Sequence, residues 1–185
     1  MWFAPEGVAP KNEYSFFRPN WYEHTAHECR AAREGVVIMD ISSFGKTMVQ
    51  GRDACAFLQW MCVSNIDVPV GKLIYTHMLN SMGGIECDIT VDRRAEECFI
   101  IYSSAGVHCR DMNWMHMHIE PDQHVSLTDV TAAYSVLNVQ GPKSRELLQS
   151  VTDTDLSNEA FPFLTAQEID IGYARILAKR QTFIG

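Results

Sequence analysis

The chain has 185 residues, 46% of them apolar and 21% charged, which suits one compact domain or two small lobes and is too apolar for disorder. A formal net charge of −8 argues against nucleic acid, whose phosphates demand a surplus of Lys and Arg, and no apolar run approaches the roughly 20 residues that cross a bilayer. The opening Met1-Trp2-Phe3-Ala4-Pro5-Glu6 lacks the basic and apolar stretches of a targeting peptide, and the six scattered cysteines form no Cys-x-x-Cys pair, so reduced thiols are expected rather than a disulfide framework.

Residues 1–19 are rich in Pro, Gly and aromatics without a clear period and read as an arm whose Trp2, Phe3, Tyr14, Phe16 and Phe17 need cover. Asn20 is placed to cap a helix over Trp21–Glu34 that Gly35 ends. Short strands are predicted at Val36–Ile41 and Lys46–Gln50, then a helix at Asp53–Met61 and a loop through Ser64–Pro69. Two further strands, Leu73–Leu79 and Ile85–Asp92, flank Asn80-Ser81-Met82-Gly83-Gly84, a hairpin signal because Gly takes positive φ without a steric penalty. Cys98–Ser103 reads as a strand, Val107–Ile119 as a helix and Tyr134–Val139 as a strand. Gly141-Pro142 begins a helix with Pro at its first position, running to about Ser150. Strands near Gln167–Ile171 and Ala174–Thr182 complete the pattern, which is that of an α+β fold with antiparallel sheets and packed helices.

Period-two alternation along the hairpin puts Ile85, Cys87, Ile89 and Val91 on one face and Glu86, Asp88, Thr90 and Asp92 on the other. By pattern alone the acidic face is a solvated sheet surface. A functional reading needs one of these carboxylates to face a cleft and handle a proton, and the alternation does not choose among them. His24-x-x-His27 with Cys29, and His116-x-His118 near Cys109, have metal-ligand residue types but no complete set at a recognised spacing, so no metal site is expected. Cys87 lies on the apolar face, where a thiol packs, and Trp114-Met115-His116-Met117 reads as core. No Gly-x-Gly-x-x-Gly or Walker-type loop is present, so no flavin or nucleotide site is expected in this chain.

Met78–Val91 resembles the hairpin of the glycine-cleavage T-protein family, whose pattern is Asn-x-x-Gly-Gly-x-x-x-Asp followed by an apolar strand. Asp40–Lys46 resembles that family's early Asp-x-Ser segment, Asn65–Gly71 its loop before the hairpin, and Val139-Gln140-Gly141-Pro142 its Gln-Gly-Pro helix start. Within the family, Asp155–Phe163 and the Trp-Phe-x-Pro-x-Gly opening at Trp2–Gly7 are similar to the folate-binding half of the sarcosine and dimethylglycine dehydrogenases. The likeness covers nearly the whole chain.

This resemblance implies a T-protein-like folate-binding fold cut short at its C-terminus, with residues 1–19 a linker arm and 20–185 an incomplete aminomethyltransferase-like domain. It implies a mitochondrial matrix enzyme, with FAD in a separate flavin domain of the same full-length protein. The flavin domain oxidises an N-methyl amine, and the iminium or formaldehyde reaches tetrahydrofolate held here, giving 5,10-methylenetetrahydrofolate. The family's catalytic carboxylate falls on Asp88, with Glu86 as a reserve neighbour. Pterin-site residues are expected among Tyr75 to Met78, at Ser103 and Ser104, and at Phe183. Ser104 stands where relatives often carry Asn, and Phe183-Ile184-Gly185 where they often carry Tyr-Thr-Gly, just before an expected Glu. The resemblance therefore implies a fragment with open strand edges. Two alternatives belong to the same architecture: a non-catalytic module like the regulatory subunit of pyruvate dehydrogenase phosphatase, and a free-standing aminomethyltransferase, which the aromatic arm disfavours.

Overall fold

The computed structural model describes Trp2 and residues 4–182, and divides into two compact units. One runs to Asp40 and resumes at Leu137–Val151; the other holds Ile41–Val136 and the chain from Thr152 onward. The fold is α+β with antiparallel sheets.

In the first unit, helix α1 (Tyr22–Glu34) precedes strand β1 (Val37–Asp40), which pairs antiparallel with β7 (Leu137–Gln140); helix α4 (Ser144–Gln149) follows. Two expected caps differ. The Asn20 side chain does not cap α1: it donates to the Lys11 carbonyl and accepts from the Glu13 amide, pinning the arm. Pro142 is not the first helical residue of α4, because Gly141 and Pro142 form a turn and Lys143 takes the N-cap. Gly141 there has φ +123°, and a Cβ would lie 2.3 Å from the Gly35 carbonyl oxygen, so only glycine fits this crossing. In the arm, Trp2 stacks on His24 with ring centroids 5.3 Å apart and Tyr14 meets Trp21 edge-on, while Phe16 and Phe17 stay exposed.

The second unit is built on a five-stranded antiparallel sheet of order β3-β4-β5-β2-β6. Its strands are β2 (Gly45–Gln50), β3 (Leu73–Leu79), β4 (Ile85–Ala95), β5 (Cys98–Ser103) and β6 (Ser126–Asp129). Strand β6 has no apolar run to announce it and is defined by pairing with β2. Helices α2 (Ala54–Met61) and α3 (His108–His116) contribute to the apolar core on one side of the sheet, where Val49, Phe57, Leu58, Met78, Ile89, Val91, Phe99, Ile101 and Met115 are buried. Each of the larger side chains in that set contributes about 1.5–3 kcal/mol by leaving water. A separate hairpin, β8 (Thr165–Ile171) with β9 (Ala174–Arg180), reaches the sheet through a Lys72–Thr165 bridge.

The side of the sheet opposite this core carries Tyr75 and His77 on β3, Asp88 and Thr90 on β4 and Tyr102 on β5, as the strand registers require, with Glu86 beside them where the β3–β4 register shifts. It is solvated near the β3–β4 turn and covered toward the far end of β4. There Asp92, expected on a solvated face, is fully buried, with Lys179 Nζ of β9 3.1 Å from its Oδ2 and 3.3 Å above the Tyr102 ring centroid.

Candidate functional site

The turn that brings β3 and β4 together is built by Asn80 and Gly83. Gly83 has φ +80°, and the Asn80 Oδ1 accepts the amides of Met82 and Gly84. The same side chain donates through Nδ2 to Glu86 Oε1 at 2.8 Å. Glu86, the reserve carboxylate, is thereby engaged in shaping the turn. Asp88, one step further along the same face, is exposed.

Register sets His77 directly across from Asp88 and Tyr75 on the diagonal. His77 Nε2 lies 3.7 Å from Asp88 Oδ1 and 3.3 Å from the Tyr75 hydroxyl, and the two rings of β3 meet edge-on at 5.1 Å. The Asp88 contact is an ion-pair distance, longer than a hydrogen bond. Hydrogen bonding to the Asp88 carboxylate holds the Tyr75 phenol above its ordinary value of 10, since losing the proton would set two anions side by side; partial desolvation adds to this. Three polar groups thus converge on one exposed patch: an acceptor-only carboxylate, an imidazole and a phenol.

Of the residues expected from the sequence, Asp88 and Tyr75 come together on this patch. Ser104 directly follows β5, where the chain turns away from the strand, and is exposed. Met78 does not join them: it is fully buried in the core, on the face opposite Asp88, because neighbouring strand residues point to opposite sides. Phe183 lies outside the described residues. His77 was not singled out, although its place two residues after Tyr75 puts it on the Tyr75 face by the same alternation.

Other constellations do not compete with this patch. Ser103 Oγ is 3.3 Å from His108 Nδ1, and His108 Nε2 is 3.2 Å from Asp129, but Ser103 is only 4% exposed and the group serves as an internal tie. His24 is stacked on Trp2, and His118 bonds the Trp114 carbonyl while packing on Trp60 and Trp114. Among the described residues no group of three His, Cys, Asp or Glu side chains could hold a metal, and no helix is long and apolar enough to cross a membrane. The Cys87 thiol is packed in the core and pushed up to about 12, mainly by burial, which leaves it protonated and inert.

The GCVT N-terminal domain matches residues 2–185. The chain belongs to this family. Similar proteins include the 4-methylaminobutanoate oxidase (formaldehyde-forming) of Paenarthrobacter nicotinovorans, 35% identical over all of this chain and 22% of the relative. The mitochondrial sarcosine dehydrogenase of Mus musculus is 35% identical over 94% of this chain and 20% of its own length. The mitochondrial pyruvate dehydrogenase phosphatase regulatory subunit of Mus musculus is 32% identical over 90% and 19%. The chain therefore spans about a fifth of these relatives. Among solved structures, the glycine cleavage system aminomethyltransferase T of Bartonella henselae shares the fold, with a TM-score of 0.66 at 20% identity over 84% of this chain and 43% of that one. The exposed Asp88 closes the stretch Asn80-Ser81-Met82-Gly83-Gly84-Ile85-Glu86-Cys87-Asp88.

Proposed function

We propose that this chain is the tetrahydrofolate-binding, one-carbon-accepting domain of a longer flavoprotein of the mitochondrial matrix, one that oxidises an N-methyl amine such as sarcosine or dimethylglycine. The observation that carries the reading is Asp88, exposed at the family's hairpin position and facing Tyr75 and His77 rather than a fixed cation. The names of the relatives support it, since one is a formaldehyde-forming oxidase and another a sarcosine dehydrogenase. Any flavin belongs to another part of the longer protein, and no residue of this chain is assigned to it.

The residues present suit a reduced pterin. A carboxylate accepts an amine N–H, and the Tyr75 ring, 57% exposed, offers a flat surface for a heterocycle. Tetrahydrofolate, when bound, supplies the amine nitrogens that receive the one-carbon unit. Asp88 accepts the proton released from such a nitrogen and returns it to the departing group. The balance closes in both forms of delivery. With formaldehyde, two N–H hydrogens leave with the aldehyde oxygen as water; with an iminium, the same two leave on the amine nitrogen. Acid–base help of this kind is worth about 10²–10⁴-fold in rate.

The test is calorimetric titration of the full-length protein with tetrahydrofolate, beside an Asp88→Asn variant. Both are expected to bind with similar affinity, while the variant loses methylene transfer by about 10²–10⁴-fold. Absence of folate affinity in the well-folded full-length protein would sink the reading. It would favour a non-catalytic regulatory module, the reading supported by 32% identity to the phosphatase regulatory subunit.

A further inference from the structure

We propose that Lys179 is a covalent carrier of the one-carbon unit: its amine condenses with formaldehyde to a methylene iminium, which tetrahydrofolate then discharges. This rests on the folate reading above. Lys179 Nζ lies over the face of the sheet that carries Asp88, 3.3 Å above the centroid of the Tyr102 ring and 3.1 Å from Asp92 Oδ2. Tyr102 pairs with Thr90, and Thr90 stands two residues from Asp88 on the same strand face, about 7 Å along β4. The Lys179 side chain keeps 18% of its exposure, which leaves its amine open to an aldehyde as small as formaldehyde.

A lysine amine attacks a carbonyl only without its proton. Burial lowers Lys179 from 10.5 to about 8; Asp92 opposes this, while Arg94 and Lys46 add like charge. At pH 8 about half of the amine is therefore free, against about 0.3% at the ordinary value. The proton has a place to go, since neither oxygen of Asp92 has a hydrogen-bond partner among the described residues. Attack on formaldehyde forms the C–N bond, the same proton returns to the new hydroxyl, and water leaves. An ammonium has become an iminium of equal charge. The folate nitrogens then take the methylene carbon while their two hydrogens pass to the lysine nitrogen, restoring the ammonium. Because the group is a cation at each stage, the Asp92 carboxylate and the Tyr102 ring that hold the ammonium also hold the iminium. Lys46, across from Tyr102 on β2, is unsuited: it is fully buried, with Nζ bonded to the carbonyls of Ser42, Phe44 and Thr131. A purely structural Lys179 would only neutralise Asp92 and stack on Tyr102. Lys179→Arg keeps a cation for both contacts and cannot form this iminium.

The experiment treats the full-length flavoprotein, without folate, with isotopically labelled formaldehyde and cyanoborohydride, which reduces an iminium to an N-methyl amine. Peptide mass spectrometry then ranks the lysines. Lys179 is expected to be methylated about tenfold faster than the exposed Lys11 and Lys143, and to lose that lead in the denatured protein. With folate present, Lys179→Arg should keep folate affinity, flavin reduction by the amine and melting temperature. Its recovery of oxidised carbon as 5,10-methylenetetrahydrofolate should fall about tenfold, with free formaldehyde rising to match. Labelling of Lys179 no faster than that of Lys11 and Lys143 would overturn the carrier, as would undiminished transfer by Lys179→Arg. Labelling needs no folate, so the two readings fail separately. Absence of folate affinity with Lys179 still labelled would overturn the folate reading and the discharge step, while leaving the lysine adduct in place.

Discussion

Neighbouring carboxylates on one strand face have been given different work by their contacts. Glu86 is bound to Asn80 and braces the turn, Asp88 is exposed beside a phenol and an imidazole, and Asp92 is sealed under Lys179. Alternation along β4 made these residues look equivalent; cross-strand partners separate them. A direct consequence concerns Tyr75. Because Asp88 is the main cause of its raised phenol value, Asp88→Asn should bring the phenol back down toward 10. Ultraviolet titration of phenolate absorbance, with Tyr75→Phe identifying the relevant signal, checks this. A phenol that titrates unchanged in the variant would mean the two groups are not in contact.

At the level of elements, the site depends on the β3–β4 register, since a slip of one residue would move Asp88 to the core face and Cys87 to solvent. The turn that sets the register rests on Gly83 at φ +80° and on the Asn80 side chain. Gly83→Val puts a β-branched side chain into that conformation and should cost about 1–3 kcal/mol. Hydrogen exchange of the β3 and β4 amides reads the loss as a lower local opening energy; unchanged protection would show that the turn does not hold the register. The hairpin was legible in the sequence because paired glycines between two apolar-alternating runs have few other uses. Strand β6 was not, since Ser126–Asp129 becomes a strand only through bonds to β2. The start of α4 was misplaced because Pro142 is also at home in a turn, and Gly141 crosses the Gly35 carbonyl there.

Across the second unit, β9 covers the far end of the β4 face, and the cost of that cover falls on the Asp92–Lys179 pair. Nζ is close to Oδ2 but off-line for a hydrogen bond, and neither oxygen of Asp92 has a hydrogen-bond partner among the described residues. Lys179→Met leaves the buried Asp92 carboxylate with Arg94 Nη1, 4.0 Å from Oδ2, as its remaining cation, while the double change Asp92→Leu with Lys179→Met removes both charges of the pair and should be the more stable of the two. Chemical unfolding compares them, and a double variant no better than the single one would refute the argument. Burial lowers Lys179 from 10.5 to about 8, partly offset by Asp92. Below about pH 8 the cost of burying the charged amine is fully present. As pH rises toward 10.5 the folded state gives up this proton before the unfolded state does, so the unfolded chain binds more protons and stability rises. Unfolding measured over that range should show the rise in the unaltered protein relative to Lys179→Met, and parallel curves would refute it.

The sequence by itself determined the antiparallel α+β class and most strand and helix positions. These are encoded locally, in alternation, turn glycines and an ordered motif. Tertiary structure alone decided which neighbours each side chain has. Met78 went into the core, His77 came across from Asp88, and Lys179 arrived over Asp92 from a strand distant in the chain. The physical reason is that strand pairing and burial are set by long-range contacts, which periodicity along one segment does not contain.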